Sequence, residues 1–343
     1  MLRRAVKMVV PPAMRRMSRA AIEGVRAFCL HPRKADFVLN AIDTQSAAWP
    51  GPLKRTTQRL LYRRWARSPS LFRTRDADVF VLSFPKCGRT WLRVMLSKYI
   101  LDLKGQEPGD LVDVYSISKR AGLPGVTFDH EDSYFTIEGA CDESLETNKT
   151  RYRNRRVAFL VRDPRDVMVS YYVYCTKRAG VYQGTISQFI RDSRFGIDIY
   201  LRYLQIWEAN RHVPKAYQLF RYEDLRAQDV AGFTQLLEFA GIPVDEGLVR
   251  KTVEFGSFSN MQRMEAKKEF TNNILTPSDP ADTETFKVRK GKIGDYASYM
   301  SSEDIAHVEA RMSQMLPGYF GYVPSIGSPG IAGLAGVLPA HAA

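Results

Sequence analysis

Residues 79–100 read VFVLSFPKCGRTWLRVMLSKYI, in which a short run of β-forming residues is followed by a polar turn and then by a helical pattern. The turn carries Lys86, Gly88 and Thr90. A strand-to-helix turn presents backbone N–H groups and the positive end of the helix dipole to an anion. The segment therefore predicts an anion site at the start of the helix. It is not a Walker A loop, because its lysine precedes its glycine.

Three later segments repeat the order of strand, polar turn and helix. Besides residues 79–82, the expected strands are residues 126–128, 157–161 and 217–220, and the polar turns after them are residues 129–130, 162–166 and 221–224. Helical patterns follow over residues 167–175 and 230–240. This rhythm is typical of parallel βα units, and ligands of open parallel sheets bind outside the carboxyl ends of the strands. We therefore predict an α/β fold, with a central parallel sheet and helices on both faces, in which all four turns converge on one crevice.

The formal net charge of +13 is unevenly distributed along the chain. Residues 1–75 hold 17 Lys and Arg against three acidic residues, whereas residues 76–343 hold 33 basic and 34 acidic residues. The basic character is therefore expected in an N-terminal arm and not in the crevice, and no specific nucleic acid partner is predicted. The predicted organisation is a partly helical basic arm over 1–75, one α/β domain over 76–324 and a flexible Gly/Ala/Pro-rich tail over 325–343.

The arm contains a stretch with the pattern of a basic amphipathic helix. Apolar residues at helical spacing form one stripe, with arginines outside it; the stripe is Met14, Met17, Ala21, Val25 and Phe28, and the arginines are Arg15, Arg16, Arg19 and Arg26. Such a helix can lie on an anionic membrane surface. The alternative is that it packs its stripe on the domain with a solvated basic face.

The cysteine usage and hydropathy predict a cytoplasmic protein. The four cysteines are far apart and form no CxxC pair, namely Cys29, Cys87, Cys141 and Cys175. This argues against a disulfide framework and against a zinc site. No apolar run reaches the length that a membrane span needs. The location expected is the cytoplasm, with peripheral binding at the inner face of the membrane as the role open to the arm.

The first turn resembles the phosphosulfate-binding loop of the cytosolic-type sulfotransferases that depend on 3′-phosphoadenosine 5′-phosphosulfate (PAPS). The usual form of that loop is close to Tyr-Pro-Lys-Ser-Gly-Thr-Thr-Trp. The chain keeps five of its residues, namely Pro85, Lys86, Gly88, Thr90 and Trp91, while Cys87 replaces Ser and Arg89 replaces Thr. By this resemblance the chain is identified as a bacterial-like member of the family, with residues 86–91 as donor ligands.

Two further stretches resemble the second and third signatures of the same family. Arg162 and Ser170, in RDPRDVMVS, match the pair that holds the 3′-phosphate of the nucleotide, and the Ser170 hydroxyl is expected on the first turn of the helix that follows the strand. Arg289, Lys290 and Gly291, in RKGKIGDY, match the loop that closes over the same phosphate, with Tyr296 in place of the usual Trp. An Arg/Asp-rich turn that only caps a helix is the alternative for the second stretch, and a solvated turn is the alternative for the third.

Weaker correspondences complete the nucleotide site that the resemblance implies. Tyr222 matches a tyrosine near the adenine, and Trp91 is expected to stack on the base. Ser257 and Phe258 stand where the family has Thr-Ser-Phe, with Gly256 in place of Thr. Each of these aromatic residues, taken singly, is more often part of a protein core.

The resemblance implies a P-loop-NTPase-like three-layer sulfotransferase fold and transfer of a sulfuryl group from PAPS, without a metal, to a hydroxyl or amine acceptor. Lys86 is the candidate for stabilising charge on the leaving oxygen. His130 is the candidate base, because it ends a predicted strand and histidine titrates near neutrality. The family's Lys-Thr-His is here Phe128-Asp129-His130. A surface or helix-capping role is the alternative for His130.

Two other functions compete with this interpretation. Cys87 and Arg93 have the Cys-x5-Arg spacing of cysteine-dependent phosphatases, and a cysteine at a helix start beside Lys86 is expected to have a lowered pKa. A non-catalytic nucleotide-binding protein is the second alternative. The acceptor loops, residues 175–195 and 267–286, carry no signature, and the basic arm favours a carbohydrate or glycolipid acceptor. The oligomeric state is not predicted, since the family's dimerisation signature has no match in residues 299–311.

Overall fold

The computed structural model describes residues 76–107, 109–131, 145–270, 275–277, 279 and 282–324. The predicted arm, with its amphipathic stripe, and the predicted tail lie outside the described residues, as do Cys29 and Cys141. The two cysteines within them, Cys87 and Cys175, are buried free thiols.

Four parallel strands form one sheet, with the order β2-β1-β3-β4. They are β1 (Val79–Leu82), β2 (Val126–Asp129), β3 (Arg156–Val161) and β4 (Ala216–Arg221). Each strand begins and ends within one residue of the sequence-based expectation. The register aligns Leu82 with Asp129 and with Phe159, so the turns after β1 and β2 leave the sheet side by side.

Ten α-helices occur within the described residues. They are α1 (Arg89–Leu103), α2 (Val114–Arg120), α3 (Pro164–Val173), α4 (Ile186–Arg191), α5 (Ile197–Asn210), α6 (Tyr222–Ala227), α7 (Asp229–Ala240), α8 (Glu246–Phe255), α9 (Phe258–Ala266) and α10 (Ser302–Met315). A π-helical turn, Tyr174–Arg178, follows α3 directly. Of these helices, none is long and apolar enough to cross a membrane.

The helices cover both faces of the sheet. The connection from β1 to β2 contains α1 and α2 and moves to one side of β1, whereas the connection from β3 to β4 contains α3 to α5 and moves to the other. Because such crossovers are right-handed, the two sets of helices lie on opposite faces. Helix α8 packs on α1, and α10 packs on α5. The predicted three-layer α/β architecture is therefore confirmed.

The first turn rests on an aromatic cluster beneath the sheet's carboxyl edge. Phe84, which precedes the turn, is 1% exposed. Its ring lies 5.7 Å from that of Tyr171 on α3 and 4.8 and 5.8 Å from those of Tyr200 and Tyr203 on α5. Because large buried rings in close contact pack in defined orientations, they fix the position of the backbone at Pro85. The turn is therefore held from below by the layer that carries α3 and α5.

Candidate active site

A cleft with a volume of about 300 Å³ lies at the carboxyl edge of the sheet. The turns after all four strands contribute to its walls, through Lys86 after β1, His130 after β2, Arg162 after β3 and Tyr222 after β4. The predicted convergence of the turns on one crevice is therefore confirmed. Residues 286–292, which belong to no strand of the sheet and include the start of the third signature at Arg289, line the same cleft.

The turn between β1 and α1 has the backbone of an anion-binding loop. Gly88 is the N-cap of α1 with φ 94°, and no side chain caps the helix. A Cβ atom at Gly88 would lie 2.5 Å from Cδ2 of Tyr222, so both the conformation and the close approach require glycine. The first-turn N–H groups of α1 therefore face the cleft without a competing side chain, which suits a phosphate.

The ammonium group of Lys86 lies among other cations. Its Nζ is 5.0 Å from the ring centroid of Tyr174. Burial first, and then the charges of Arg178, Arg289 and Arg162, together lower the pKa of Lys86 to about 7. Such a concentration of positive charge is stabilised by an anion. The position of Lys86 therefore suits a group bound between these side chains.

His130 extends β2 into the cleft with a defined tautomer. Its Nδ1–H donates a hydrogen bond of 2.9 Å to the carbonyl oxygen of Ser83, which places the ring's lone pair on Nε2. The pKa of His130 lies well below its ordinary value of 6.5, first because of burial and then because of the charge of Arg89 and, more weakly, those of Lys287 and Arg93. A neutral imidazole with a basic Nε2 is the form that a general base needs.

Arg162 is the cleft-facing residue of the second signature. Its guanidinium lies 4.6 Å from the ring centroid of Tyr222, and Nη2 donates to the carbonyl oxygen of Lys292 at 3.0 Å. The Nε atom is buried without a hydrogen-bond partner among the described residues. A buried guanidinium with an unused donor is suited to phosphate oxygens.

The other charged residues of the second signature hold the fold together. Asp163 is the N-cap of α3 and accepts from the backbone N–H of Arg165. Arg165 is 8% exposed and pairs with Asp163 and with Glu309, both at 2.6 Å. The helix-capping alternative therefore describes Asp163, while Arg162 turns into the cleft.

Ser170 lines the cleft but stands deeper in its helix than the sequence suggested. We expected its hydroxyl in the first turn after the strand, but α3 begins at Pro164 and Ser170 is on its second turn. This detail of the expectation was wrong, because capping by Asp163 starts the helix directly after Arg162. Ser170 still faces the same cleft as Arg162.

Asp166 connects the second signature to the third. Its buried carboxylate accepts the backbone N–H groups of Gly294 and Tyr296 at 2.8 and 3.2 Å and lies 3.5 Å from Nη2 of Arg162. Burial raises the pKa of Asp166, and Arg162 and the two N–H donors oppose that shift. The guanidinium of Arg165 covers the ring of Tyr296 at 4.7 Å, so tyrosine fills the position at which the family has tryptophan.

The basic residues of the third signature reach the cleft while paired with neighbouring acids. Arg289 is 3.1 Å from Glu284, and Lys290 is 3.4 Å from Asp295. Gly291 has φ 62°, and a Cβ there would lie 2.5 Å from the ring of Phe258. The loop therefore depends on glycine to pack its backbone on that ring.

The aromatic residues expected near the adenine lie together at one end of the cleft. Trp91 Nε1 donates to the carbonyl oxygen of Gly256 at 2.7 Å, and its ring meets that of Tyr222 edge-on at 6.2 Å. A Cβ at Gly256 would lie 2.4 Å from Cγ of Met95, which explains why threonine is replaced there. Phe258 lines the cleft; Ser257, the N-cap of α9, is not among the lining residues.

Cys87 points away from the cleft into the core. Its side chain is fully buried, with Sγ 3.7 Å from the hydroxyl of Tyr200. Burial raises the pKa of Cys87 to about 12, so the expected lowering was wrong, because the turn directs Lys86 to the cleft and its neighbour to the opposite side. Arg93 does face the cleft, but Nη2 donates to the carbonyl oxygen of Phe128 at 3.2 Å. The pair does not form a phosphatase nucleophile site.

The cleft is strongly basic although the surrounding domain is not. Among the described residues, ten basic side chains line it, namely Lys86, Arg89, Arg93, Arg162, Arg178, Arg226, Lys287, Arg289, Lys290 and Lys292, against the acidic Asp166, Glu284 and Asp295. The expectation that the basic character belongs to the arm alone was wrong, since segments far apart in sequence bring cations to one place. Sequence reasoning missed Tyr174, Arg178 and Lys287, whose only signal is proximity to a signature.

Comparison with known proteins assigns the same part of the chain to one family. The model of the family described as "Sulfotransferase domain" matches residues 76–320. "Cytosolic sulfotransferase 9" of Arabidopsis thaliana is 27% identical over 290 residues, which cover 73% of this chain and 81% of that protein. "Flavonol 3-sulfotransferase" of Flaveria bidentis is 23% identical over 271 residues, which cover 73% of this chain and 85% of that protein. A solved structure, mouse sulfotransferase SULT7A1 complexed with PAP, has 20% sequence identity to this chain and a TM-score of 0.49. The match covers 72% of this chain and 90% of that chain.

Proposed function

The chain belongs to the sulfotransferase domain family, and on this basis we propose that it transfers a sulfuryl group from PAPS to a hydroxyl acceptor. The observation that carries the proposal is that Lys86, His130, Arg162 and Arg289 face one basic cleft. A donor with two phosphate-bearing ends and a base for the acceptor both have a place there.

Two groups of residues suit the two ends of the donor. The N–H groups of the first turn of α1, with Lys86 and Thr90, suit the 5′-phosphosulfate. Arg162, Ser170 and the third-signature residues Arg289, Lys290 and Gly291 suit the 3′-phosphate, since guanidinium groups bind phosphate oxygens in pairs. The rings of Trp91 and Tyr222, which line the same cleft, suit the adenine.

The proposed chemistry is an in-line displacement in which positioning and charge stabilisation supply most of the rate. His130 Nε2 takes the proton of the acceptor hydroxyl as the new oxygen–sulfur bond forms. Lys86 stabilises the electron pair that the leaving phosphate oxygen retains when its bond to sulfur breaks. The Ser83 carbonyl oxygen accepts the Nδ1–H of His130 and so leaves the lone pair of the ring on Nε2.

Arg162 is expected to recognise the 3′-phosphate. The wild-type chain should bind 3′,5′-adenosine bisphosphate (PAP) more tightly than 5′-AMP, and Arg162→Ala should weaken PAP binding by about 1.5–3 kcal/mol, the usual range for hydrogen bonds to charged groups. Titration calorimetry with both nucleotides measures this. Arg194→Ala, an exposed arginine, is the matched control. Equal losses for PAP and AMP would contradict the assignment.

The proposal for the acceptor and the location rests on the N-terminal arm, residues 1–75, and not on the α/β domain. We favour a carbohydrate or glycolipid hydroxyl, with an amine as a variant, reached by a cytoplasmic enzyme that binds peripherally to the inner face of the membrane. The basic arm supports this, because it holds 17 Lys and Arg against three acidic residues, as helices that bind anionic membranes do. We also propose that the chain is a bacterial-like member of the family. Its proposed parts are an arm over 1–75, a sulfotransferase domain over 76–324 and a tail over 325–343.

The arm should bind anionic vesicles through its arginines. In sedimentation at low salt, the full chain is expected to bind vesicles that contain phosphatidylglycerol and not vesicles of phosphatidylcholine alone. Replacing Arg15, Arg16, Arg19 and Arg26 with glutamine should remove about 1 kcal/mol of binding for each charge. Equal sedimentation with the two lipids, or no effect of the four changes, would show that the arm does not bind membranes.

A further inference from the structure

Lys287 lies in the same cleft as Lys86 but outside the three signatures. It precedes Arg289 by two residues, and its side chain lines the cleft. Its Nζ lies 5.0 Å from the ring centroid of Tyr174, the same distance as Nζ of Lys86 from that ring. The two ammonium groups therefore share one aromatic neighbour at the reacting end of the cleft.

The backbone beneath Lys287 is fixed by a buried carboxylate. Glu265 is fully buried and accepts the N–H groups of Lys287 and Val288 at 2.6 and 2.9 Å. The same carboxylate pairs with Arg178 at 3.3 Å. Because Glu265 is committed to these donors, it holds the segment in place at the edge of the cleft.

The charge of Lys287 is coupled to those of Lys86 and His130. Burial lowers its pKa well below the ordinary value, and the charge of Lys86 is the largest of the charge effects in the same direction. In turn, the charge of Lys287 helps to lower the pKa of His130. Within the described residues, no carboxylate lies within 4.0 Å of its ammonium group. A buried cation in such a place is costly unless an anion binds there.

The geometry points to Lys287 as a further catalytic residue. It contacts the oxygens of the sulfuryl group while that group passes from the donor phosphate, at Lys86, to the acceptor oxygen, at His130. This inference rests on the proposed function. As the bond between sulfur and the phosphate oxygen breaks, that oxygen keeps the electron pair, the acceptor oxygen bonds to sulfur, and the acceptor proton passes to His130. Lys287 loses no proton in this step; its charge neutralises the non-bridging sulfuryl oxygens throughout.

The contact with the sulfuryl group makes a binding prediction that needs no acceptor. PAPS carries the sulfuryl group and PAP does not, so Lys287→Met should weaken PAPS binding by about tenfold or more while leaving PAP binding within about threefold. Lys287→Arg, which retains the charge, should retain most of the affinity for PAPS. Lys267→Met, the same change at an exposed lysine, should alter neither. Calorimetric titration of these four full-length chains, the wild type included, with each of the two nucleotides gives eight affinities.

Each outcome of the titration decides the inference. Selective loss of PAPS affinity supports the sulfuryl contact. Equal loss for both nucleotides would assign Lys287 to the nucleotide, and no loss for either would remove it from the donor site; both outcomes overturn the inference and leave the proposed function intact. A wild-type chain that binds neither nucleotide overturns both. Since Lys287→Met removes a buried charge without a carboxylate partner, its melting temperature should equal or exceed that of the wild type.

A rate measurement separates catalysis from binding. With any acceptor that the wild type sulfates, Lys287→Met should lower kcat by about 10²–10³, the usual cost of removing one group that stabilises developing charge. The KM for the acceptor should stay nearly constant. A raised acceptor KM with unchanged kcat would instead place Lys287 on an anionic acceptor.

Discussion

Replacing His130 with alanine should lower kcat by about two to four orders of magnitude, the range that a general base contributes. The PAP affinity should remain within about threefold of the wild type, because His130 faces the acceptor and not the proposed phosphate ligands. The physical reason is that alanine offers no nitrogen lone pair to accept the acceptor's proton, whereas Nε2 of His130 does, since Nδ1–H is bound to the Ser83 carbonyl oxygen. Steady-state kinetics with saturating PAPS, together with calorimetry for PAP, provide the two quantities.

The pH profile supplies an independent check on His130. Burial and the charges of Arg89, Lys287 and Arg93 lower its pKa well below 6.5. A base acts in its deprotonated form, so kcat/KM is lost as the pH falls through this pKa. The acid limb of the profile should therefore lie below pH 6.5 and should disappear in the alanine variant. Near-wild-type turnover of that variant would remove His130 from the mechanism.

Replacing Glu131 with glutamine should lower the free energy of unfolding by about 3–5 kcal/mol, the cost of removing one partner from a buried ion pair. Its side chain is fully buried and pairs with Lys149, itself 2% exposed, at 3.1 Å. Tyr152 and the indole N–H of Trp207 donate to the same carboxylate at 2.9 and 2.6 Å. The amide cannot accept all of these donors and leaves the Lys149 ammonium buried without a counter-charge. Urea denaturation measures the change.

Two further variants serve as controls for Glu131→Gln, one at an exposed ion pair and one within the same buried network. Glu303 is 90% exposed in a 3.7 Å pair with Arg191, and Glu303→Gln should cost less than about 1 kcal/mol. Adding Lys149→Met to Glu131→Gln should recover part of the loss, since the buried ammonium is removed. A loss below about 1 kcal/mol in Glu131→Gln would show that the network does not stabilise the domain.

The sequence predicted the sheet well because its strands are short apolar runs that end at polar turns. Val79–Leu82 and residues 157–161 stand out against those turns, and the rule for ligands of parallel sheets then placed Lys86, His130, Arg162 and Tyr222 at one edge. The strand order β2-β1-β3-β4 was not predictable, because nothing in the four runs distinguishes a central strand from an edge strand.

The site was predictable only where a residue follows a strand or belongs to a signature. The direction of Cys87 could not be predicted, because a one-residue step in a turn decides between cleft and core. Tyr174 and Arg178 reach the cleft from a π-helical turn, and Lys287 reaches it from a segment held by Glu265. The positions of these three residues in the cleft depend on tertiary packing, which the spacing of residues in the sequence does not indicate.

An acceptor screen with ³⁵S-labelled PAPS measures directly whether this chain transfers the sulfuryl group of PAPS. The panel should contain carbohydrates, glycolipids, phenols and amines, with the full-length wild type and the Lys86→Ala variant run side by side. We expect label to appear in at least one acceptor with the wild type and to fall by about 10²–10³ with the variant. PAP binding without label transfer to any acceptor, or equal transfer by both chains, would contradict the claim.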